Sequence, residues 1–347
     1  MNAIPSKKLN IMLILEILRK YSDQDHRLSQ QKIAELVEQE YSMKIDRKAV
    51  KRNLMNLVDM GYEIEYSENA RKNKDGEEDT VYTDFYLDRD ITDAELRLLI
   101  ESLLFSKYIP YSQCKELIEK LKGLSSKYFG ESMKYIRAMP ENHSENKQLM
   151  LTIEILDEAI SNGKKVAFHY TEYRTDKRRH IKRNEDGVRE YKVSPYRMAI
   201  ANARYFLICS HDTKGLFHYR LDGIADIRLL DEPSRPMKDV KGHESDMDLS
   251  RYMAEHIHMF SGESTRVTFR AKTTMTGAIF DWFGIDSVRI SDETKDEMTV
   301  CVNVNEQDML YWALQYGKYV EVLSPEGLRS AVRDAGGNLW KKYGGMG

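Results

Sequence analysis

The sequence predicts an α+β protein of several domains, and three observations carry that expectation. At 347 residues the chain exceeds one ordinary hydrophobic core, so two or three domains are expected. A content of 41% hydrophobic and 31% charged residues is that of a globular chain able to fill such cores. The apolar period also changes along the chain. Helical spacing gives way to a hairpin, then to closely spaced strands, then to strands alternating with helices.

The first 90 residues read as three helices and a hairpin. Lys7–Lys20 carries Leu9, Met12, Leu13, Ile17 and Leu18 at helical spacing. Ser29 is placed to cap Gln30–Glu40, and Asp46 to cap Arg47–Asp59, with Gly61 as the stop after it. Tyr62–Tyr66 and Val81–Leu87 follow as strands around a polar tip containing Asp75-Gly76. This order is that of a winged helix-turn-helix, with the third helix in the recognition position. On that helix Val50, Leu54, Leu57 and Val58 share one side. Lys48, Arg52 and Asn56 occupy the other, with Lys51 beside them and Arg47 in the first turn.

Cations in a first turn oppose the helix dipole by roughly 0.3–1 kcal/mol each, so their presence favours a functional demand over a merely solvated face. Arg and Lys suit DNA phosphates, and Arg and Asn suit base edges. The candidate DNA contacts are therefore Arg47, Lys48, Lys51, Arg52 and Asn56, with Arg71, Lys72 and Lys74 at the wing tip. Glu77, Glu78 and Asp79 directly after the tip leave its three cations open to a bland reading as well.

A helical linker is expected over 91–143. Thr92 and Glu95 form a capping box for a helix reaching about Lys107, a second helix runs from about Ser112 to Lys122, and Lys127–His143 lacks a period. The next domain, 144–232, opens with a helix from Ser144 to Asn162. Strands Lys165–Thr171, Val188–Ile200, Arg204–His211, Leu216–Leu221 and Ile224–Leu230 then suggest a small barrel of the SH3 or Sm type. In the last part, 245–347, a helix near Asp248–Met259 comes first. Strand Arg266–Arg270, helix Thr274–Phe283, strands Ser287–Ile290 and Met298–Val304, helix Glu306–Tyr316 and strand Tyr319–Leu323 follow, then a final helix Pro325–Tyr343. The β-α-β-β-α-β order within it is ferredoxin-like.

Charge is unevenly spread. Lys164–Glu232 holds 15 Lys and Arg against 10 Asp and Glu, whereas Ser245–Gly347 holds 11 against 15. A basic middle segment in a chain of net charge −3 is a candidate anion-binding surface, or simply a solvated one. Within it the run Lys177–Arg183, with Tyr173 nearby for stacking, could follow a nucleic-acid backbone or face solvent. Cys114, Cys209 and Cys301 are too scattered for a disulfide frame. Ile11–Leu15 is too short to span a bilayer, and the first ten residues lack signal-peptide character. A cytoplasmic protein without a membrane partner is the expectation. The pair His256 and His258 lacks a third ligand at helical spacing, and the sequence offers no nucleophile–base set or phosphate loop. We therefore expect no metal, no cofactor and no catalytic residues; the chain is not expected to be an enzyme.

The segment Arg204-Tyr-Phe-Leu-Ile208, followed by Phe217-His-Tyr-Arg-Leu-Asp-Gly-Ile224, resembles the WYL-domain regulators. Tyr205-Phe206-Leu207 stands where that family has Trp-Tyr-Leu. Tyr219, Arg220, Leu221, Asp222 and Ile224 match its downstream motif, with Gly223 replacing a second arginine. Ala159-Ile160 through Phe168-His-Tyr170 and Lys192–Tyr196 fit the flanks, and Gly317–Pro325 resembles the family's C-terminal extension domain. The resemblance covers nearly the whole chain. It implies a homodimeric bacterial transcriptional regulator that binds a double-stranded DNA operator and senses an effector, in several relatives a nucleic acid or nucleotide. An inward-pointing Arg220 would need an anionic partner, either an effector or Asp222 or Asp226, and Tyr170, Ser194, Tyr205 and His211 could add hydrogen bonds. These five are the candidate effector residues. An accessory single-stranded nucleic-acid-binding protein of a CRISPR-type phage defence is the alternative, because WYL modules occur in both settings.

Overall fold

The computed structural model describes residues 9–72, 78–132, 144, 146–185, 187–212, 215–240 and 248–344, without the side chains of 71, 72, 78, 79, 131 and 132. Helix and sheet are mixed, and the chain divides into two compact units. One unit spans Met1–Ser106 and Tyr111–His143; the other spans Lys107–Pro110 and Ser144–Gly347.

In the first unit α1 (Asn10–Tyr21), α2 (Gln30–Tyr41) and α3 (Arg47–Asp59) precede a hairpin of β1 (Ile64–Lys72) and β2 (Glu78–Leu87). The caps are those the sequence suggests. Ser29 Oγ accepts the Lys32 N–H at 3.2 Å, and an Asp46 carboxylate oxygen accepts that of Ala49 at 2.8 Å. Gly61, at φ +91°, makes the left-handed exit from α3 that other residues resist. Ile14, Ile17, Leu18, Ile33, Val37, Val50, Leu54 and Phe85 form one buried cluster, so each helix turns one apolar face inward. Leu28 exchanges two backbone hydrogen bonds with Phe85 of β2, tying the start of α2 to the hairpin. Helices α4 (Asp93–Phe105), α5 (Tyr111–Lys122) and α6 (Phe129–Ser132) complete the unit, α4 opening with the Thr92–Glu95 capping box. Lys7, Lys74 and most of 127–143 lie outside the described residues.

The second unit begins with α7 (Leu149–Ser161). The sequence expectation of a helix from Ser144 is corrected here. Asn146 gives its side-chain N–H groups to the carbonyls of Asp222 and Ile224, at 3.1 and 2.7 Å, so the approach to α7 is tied down in a non-helical form. The strands are β3 (Lys164–Tyr173), β4 (Arg179–Ile181), β5 (Arg183–Asn184), β6 (Gly187–Val188), β7 (Glu190–Ala201), β8 (Arg204–Ser210), β9 (Leu216–Arg220) and β10 (Ile224–Pro233). The expected strand from Val188 is thus divided, β6 pairing with β5 while β7 joins the main sheet. That sheet has the antiparallel order β10-β3-β7-β8-β9, with β4 paired to β3. A 3-10 turn, Leu221–Gly223, connects β9 to β10, so the expected strand ends at Arg220.

Beyond it come α8 (Leu249–Glu255), β11 (Ser264–Lys272), α9 (Thr276–Phe283), β12 (Arg289–Ser291), β13 (Glu297–Asn305), α10 (Glu306–Gln315), β14 (Val320–Ser324) and α11 (Glu326–Gly344). The sheet order is β12-β13-β11-β14, antiparallel throughout. Its covered face packs Val267, Phe269, Val300 and Val302 against Ile279, Phe283, Met309 and Trp312. Asn305 caps α10 by accepting the N–H groups of Gln307 and Asp308 at 3.0 and 3.2 Å. The fully buried Asp308 in turn accepts the N–H of His258 at 2.6 Å, which anchors the segment after α8.

Candidate functional site

Two surfaces gather the cations singled out in the sequence, one in each unit. On α3 the apolar residues face the core, so the opposite face is exposed at Arg47, Lys48, Arg52 and Asn56. Lys51, half-buried, holds its ammonium 4.4 Å from the centre of the Tyr82 ring on the hairpin. Among the described residues none of these four cations has a carboxylate within ion-pair distance. Those of the neighbouring helices do: Arg19 pairs with Glu16, Lys20 with Glu40 and Lys32 with Glu35. The fold neutralises α1 and α2 and leaves α3 positive. Arg71 and Lys72 end β1 opposite Asp79 and Glu78, but their side chains, and all of Lys74, lie outside the described residues.

The second surface is built around Asp222, whose side chain is 1% exposed. The turn after β9 places it there, and three arginines from different strands converge on it. Arg220 makes a bidentate pair, Nε to Oδ1 at 3.0 Å and Nη2 to Oδ2 at 2.6 Å. Arg179, from β4, sets Nη2 3.1 Å from Oδ2, donates Nη1 to the Asp222 carbonyl and to Thr171 Oγ1, and stacks on Tyr173. Arg204, at the start of β8, places Nη1 3.5 Å from Oδ2 and 3.0 Å from the Lys107 carbonyl. Burial alone would raise the Asp222 carboxyl, but the hydrogen bond from Arg220 and the charges of Arg220, Arg179 and Arg204 outweigh it and hold the group below its usual range. Burial, and then repulsion from Arg220, depress Arg204. Three guanidinium groups therefore share one carboxylate, and the surplus is positive. Arg179 Nε, buried, has no hydrogen-bond partner among the described residues.

Beside this cluster is a cleft of about 130 Å³ whose lining includes the cations Arg179 and Arg220, the carboxylates Asp222 and Glu172, and the rings of Tyr170 and Tyr173. Tyr170 accepts the Arg220 backbone N–H at 3.2 Å, and burial raises its hydroxyl. Gly223 explains its own departure from the motif: a Cβ there would lie 2.7 Å from the Tyr170 ring. A larger groove of about 1060 Å³ in the first unit is lined by Arg19, Lys20, Arg89, Lys122 and Lys127 but equally by Glu16, Glu63, Asp88, Asp90 and Glu119. The charges lining both are balanced in number, but beside the small cleft three guanidinium groups converge on one buried carboxylate, so the small cleft is the better candidate.

Of the five expected effector residues, the structure brings together Tyr170 and Arg220. Tyr205 neighbours Phe206, the register partner of Arg220, and so projects to the opposite face, where its ring packs 5.3 Å from that of Tyr108. Ser194 is fully buried and accepts the Arg235 N–H at 2.9 Å. His211 follows Ser210, which pairs with Leu216, four residues along β9 from Arg220 and roughly 13 Å away at strand spacing; its ring meets the Tyr219 hydroxyl at 3.0 Å. Arg179 and Arg204 were not singled out as site residues from the sequence. Arg179 lies in the basic run and Arg204 opens the name motif, yet only the strand order brings either to Asp222.

The model of the WYL domain matches residues 152–229, and that of the WCX domain matches 263–339. No curated protein matches the chain. Among solved structures, proteasome accessory factor B/C (PafBC) of Arthrobacter aurescens is 15% identical with a TM-score of 0.27, over 94% of this chain and 47% of that one. The chain thus spans about half the length of PafBC. A protein described as CRISPR Cas-related is 13% identical with a TM-score of 0.34, over 98% of this chain and 88% of that one. The chain thus carries a WYL domain, which contains Arg179, Arg204, Arg220 and Asp222, followed by a WCX domain.

Proposed function

We propose that the chain is a cytoplasmic, homodimeric DNA-binding transcriptional regulator whose WYL domain senses an anionic effector, a nucleotide or single-stranded nucleic acid, and that it is not an enzyme. In this reading α1–α3 and the hairpin are a winged helix-turn-helix, the six-stranded sheet is an SH3/Sm-type barrel and the last sheet is ferredoxin-like. The domains then run 1–90, 91–143, 144–232 and 245–347. The observation that carries the sensing role is the convergence of Arg179, Arg204 and Arg220 on the one buried carboxylate of Asp222, two of these arginines also lining the cleft. A second anion there would relieve the repulsion that Asp222 only partly offsets, and a planar fork is the group suited to a phosphate or carboxylate. The unpaired face of α3 supports DNA binding in the same way, with Arg52 and Asn56 as base readers and Lys48 on phosphate.

Sensing requires that the effector bind one arrangement of the dimer better than the other; coupling of about 1–3 kcal/mol changes operator affinity some 5- to 150-fold. The test is operator affinity with and without nucleotides and short oligonucleotides, for the wild type and Arg220→Ala. We expect a response in the wild type that is absent in the variant. An undiminished response in Arg220→Ala would remove this cleft from the mechanism. One feature favours the alternative role as an accessory single-stranded nucleic-acid-binding protein: Lys177 and Arg178 are exposed between β3 and β4, beside Tyr173, which is 52% exposed. Binding to single strands that persists without any operator preference would select that reading.

A further inference from the structure

The open face of the β12-β13-β11-β14 sheet treats its charges in two ways. Toward β14, Arg270 pairs with Glu321, which also holds Arg329, and Lys272 pairs with Glu297. At the other end, Arg266 of β11 and Arg289 of β12 flank Cys301, and neither has a carboxylate within ion-pair distance among the described residues. Arg266 spends its Nε on Cys301 Sγ at 3.0 Å, which leaves its two terminal nitrogens uncommitted to any carboxylate. These residues line a groove of about 430 Å³ that α8 closes with Arg251 and Glu255, themselves paired at 2.9 Å. Asp286 is the remaining carboxylate in the lining and lies beyond ion-pair distance of Arg266 and Arg289, and Ser287 and Asn303 add neutral hydrogen-bonding groups.

We propose that this groove is a second anion site, in the WCX domain, which takes a phosphate group between Arg266 and Arg289. The other end of the same sheet pairs its cations with carboxylates, whereas Arg266 and Arg289 line one groove without such pairing, and guanidinium groups meet a tetrahedral oxyanion with several parallel donors. The groove is larger than a phosphate needs, so the group arrives attached to something: a free nucleotide or the backbone of a nucleic acid.

Cys301 provides the readout. It is half-buried on the groove floor, whereas Cys114 and Cys209 are buried. An alkylating reagent applied to the folded full-length chain reports on Cys301, followed by mass spectrometry. Inorganic phosphate, ATP and a short single-stranded DNA serve as probes. At a probe concentration about ten times its dissociation constant, alkylation of Cys301 slows roughly tenfold in the wild type, by the factor 1 + [L]/Kd. ATP protecting at lower concentration than the oligonucleotide identifies a free nucleotide; the reverse order identifies a backbone. In Arg289→Ala and Arg266→Ala, both exposed positions, protection is lost; Arg220→Ala keeps it, so failure here is separable from failure of the cleft at Asp222. Absence of protection by all three probes, or equal protection in Arg289→Ala, overturns the proposal.

Discussion

Asp222 and Asp308 are both buried carboxylates, one in each half of the second unit, and they ionise in opposite directions. Burial raises both. Asp222 is surrounded by three guanidinium groups and ends below its ordinary range. Asp308 receives only backbone N–H groups, those of His258 and Phe260, and is pushed up to about 7. Its Oδ2 has no hydrogen-bond partner among the described residues. Burial alone therefore says little about function. A buried carboxylate that gathers cations creates a charged site, and one that gathers backbone N–H groups fastens a loop.

The comparison can be broken most directly at Asp222. Asp222→Ala leaves three guanidinium groups facing one another, and we expect a loss of about 3 kcal/mol in urea denaturation, at the low end for a broken buried pair because Arg204 and Arg220 are partly exposed. A loss below about 0.5 kcal/mol, the usual scale of a surface substitution, would mean that the cluster is solvated in practice.

The pH dependence of the two carboxylates should have opposite signs. Asp308 has its folded pKa raised above the unfolded value, so its contribution is complete below about pH 4. That contribution declines as pH rises and is lost on passing about pH 7. Between these limits stability should fall by on the order of 1 kcal/mol per pH unit, and Asp308→Asn should flatten the slope. Asp222, held low, contributes above the ordinary carboxylate range and loses that contribution only as pH falls through its depressed value. A wild-type profile unchanged by Asp308→Asn between pH 4 and 7 would contradict this assignment.

Smaller effects are expected on α3, where charge is exposed rather than buried. Arg52→Ala should cost about 1–3 kcal/mol of operator preference, measured as the difference between specific and nonspecific DNA, if Arg52 reads a base. Lys48→Ala should weaken all sequences alike and reduce the slope of log affinity against log salt by about 0.9. Both variants should melt as the wild type does, because neither side chain is packed. An unchanged salt slope in Lys48→Ala would remove that residue from the phosphate contacts.

Local signals were legible wherever they act within a few residues. Ser29, Asp46 and the Thr92–Glu95 box cap the helices assigned to them, and Gly61 ends α3. The order of strands and helices after residue 264 also follows from periodicity alone. What failed depended on distant partners. Ser144 resembles a cap, but Asn146 is held by carbonyls more than seventy residues away. Ser194 and His211 carry suitable chemistry for the Arg220 site, yet register sets them at the other end of the strands. Arg179 and Arg204 lie 43 and 18 residues from Asp222 and meet it only through sheet pairing.

The close approach of Tyr170 to Gly223 couples those two positions. The end of the aromatic ring occupies the space in which any side chain at 223 would begin, so the motif's second arginine requires the ring to move. Restoring the arginine alone would displace the ring and with it the hydroxyl that accepts the Arg220 N–H. An arginine at 223 would thus add a positive charge to the cleft at the expense of the ring's present seat.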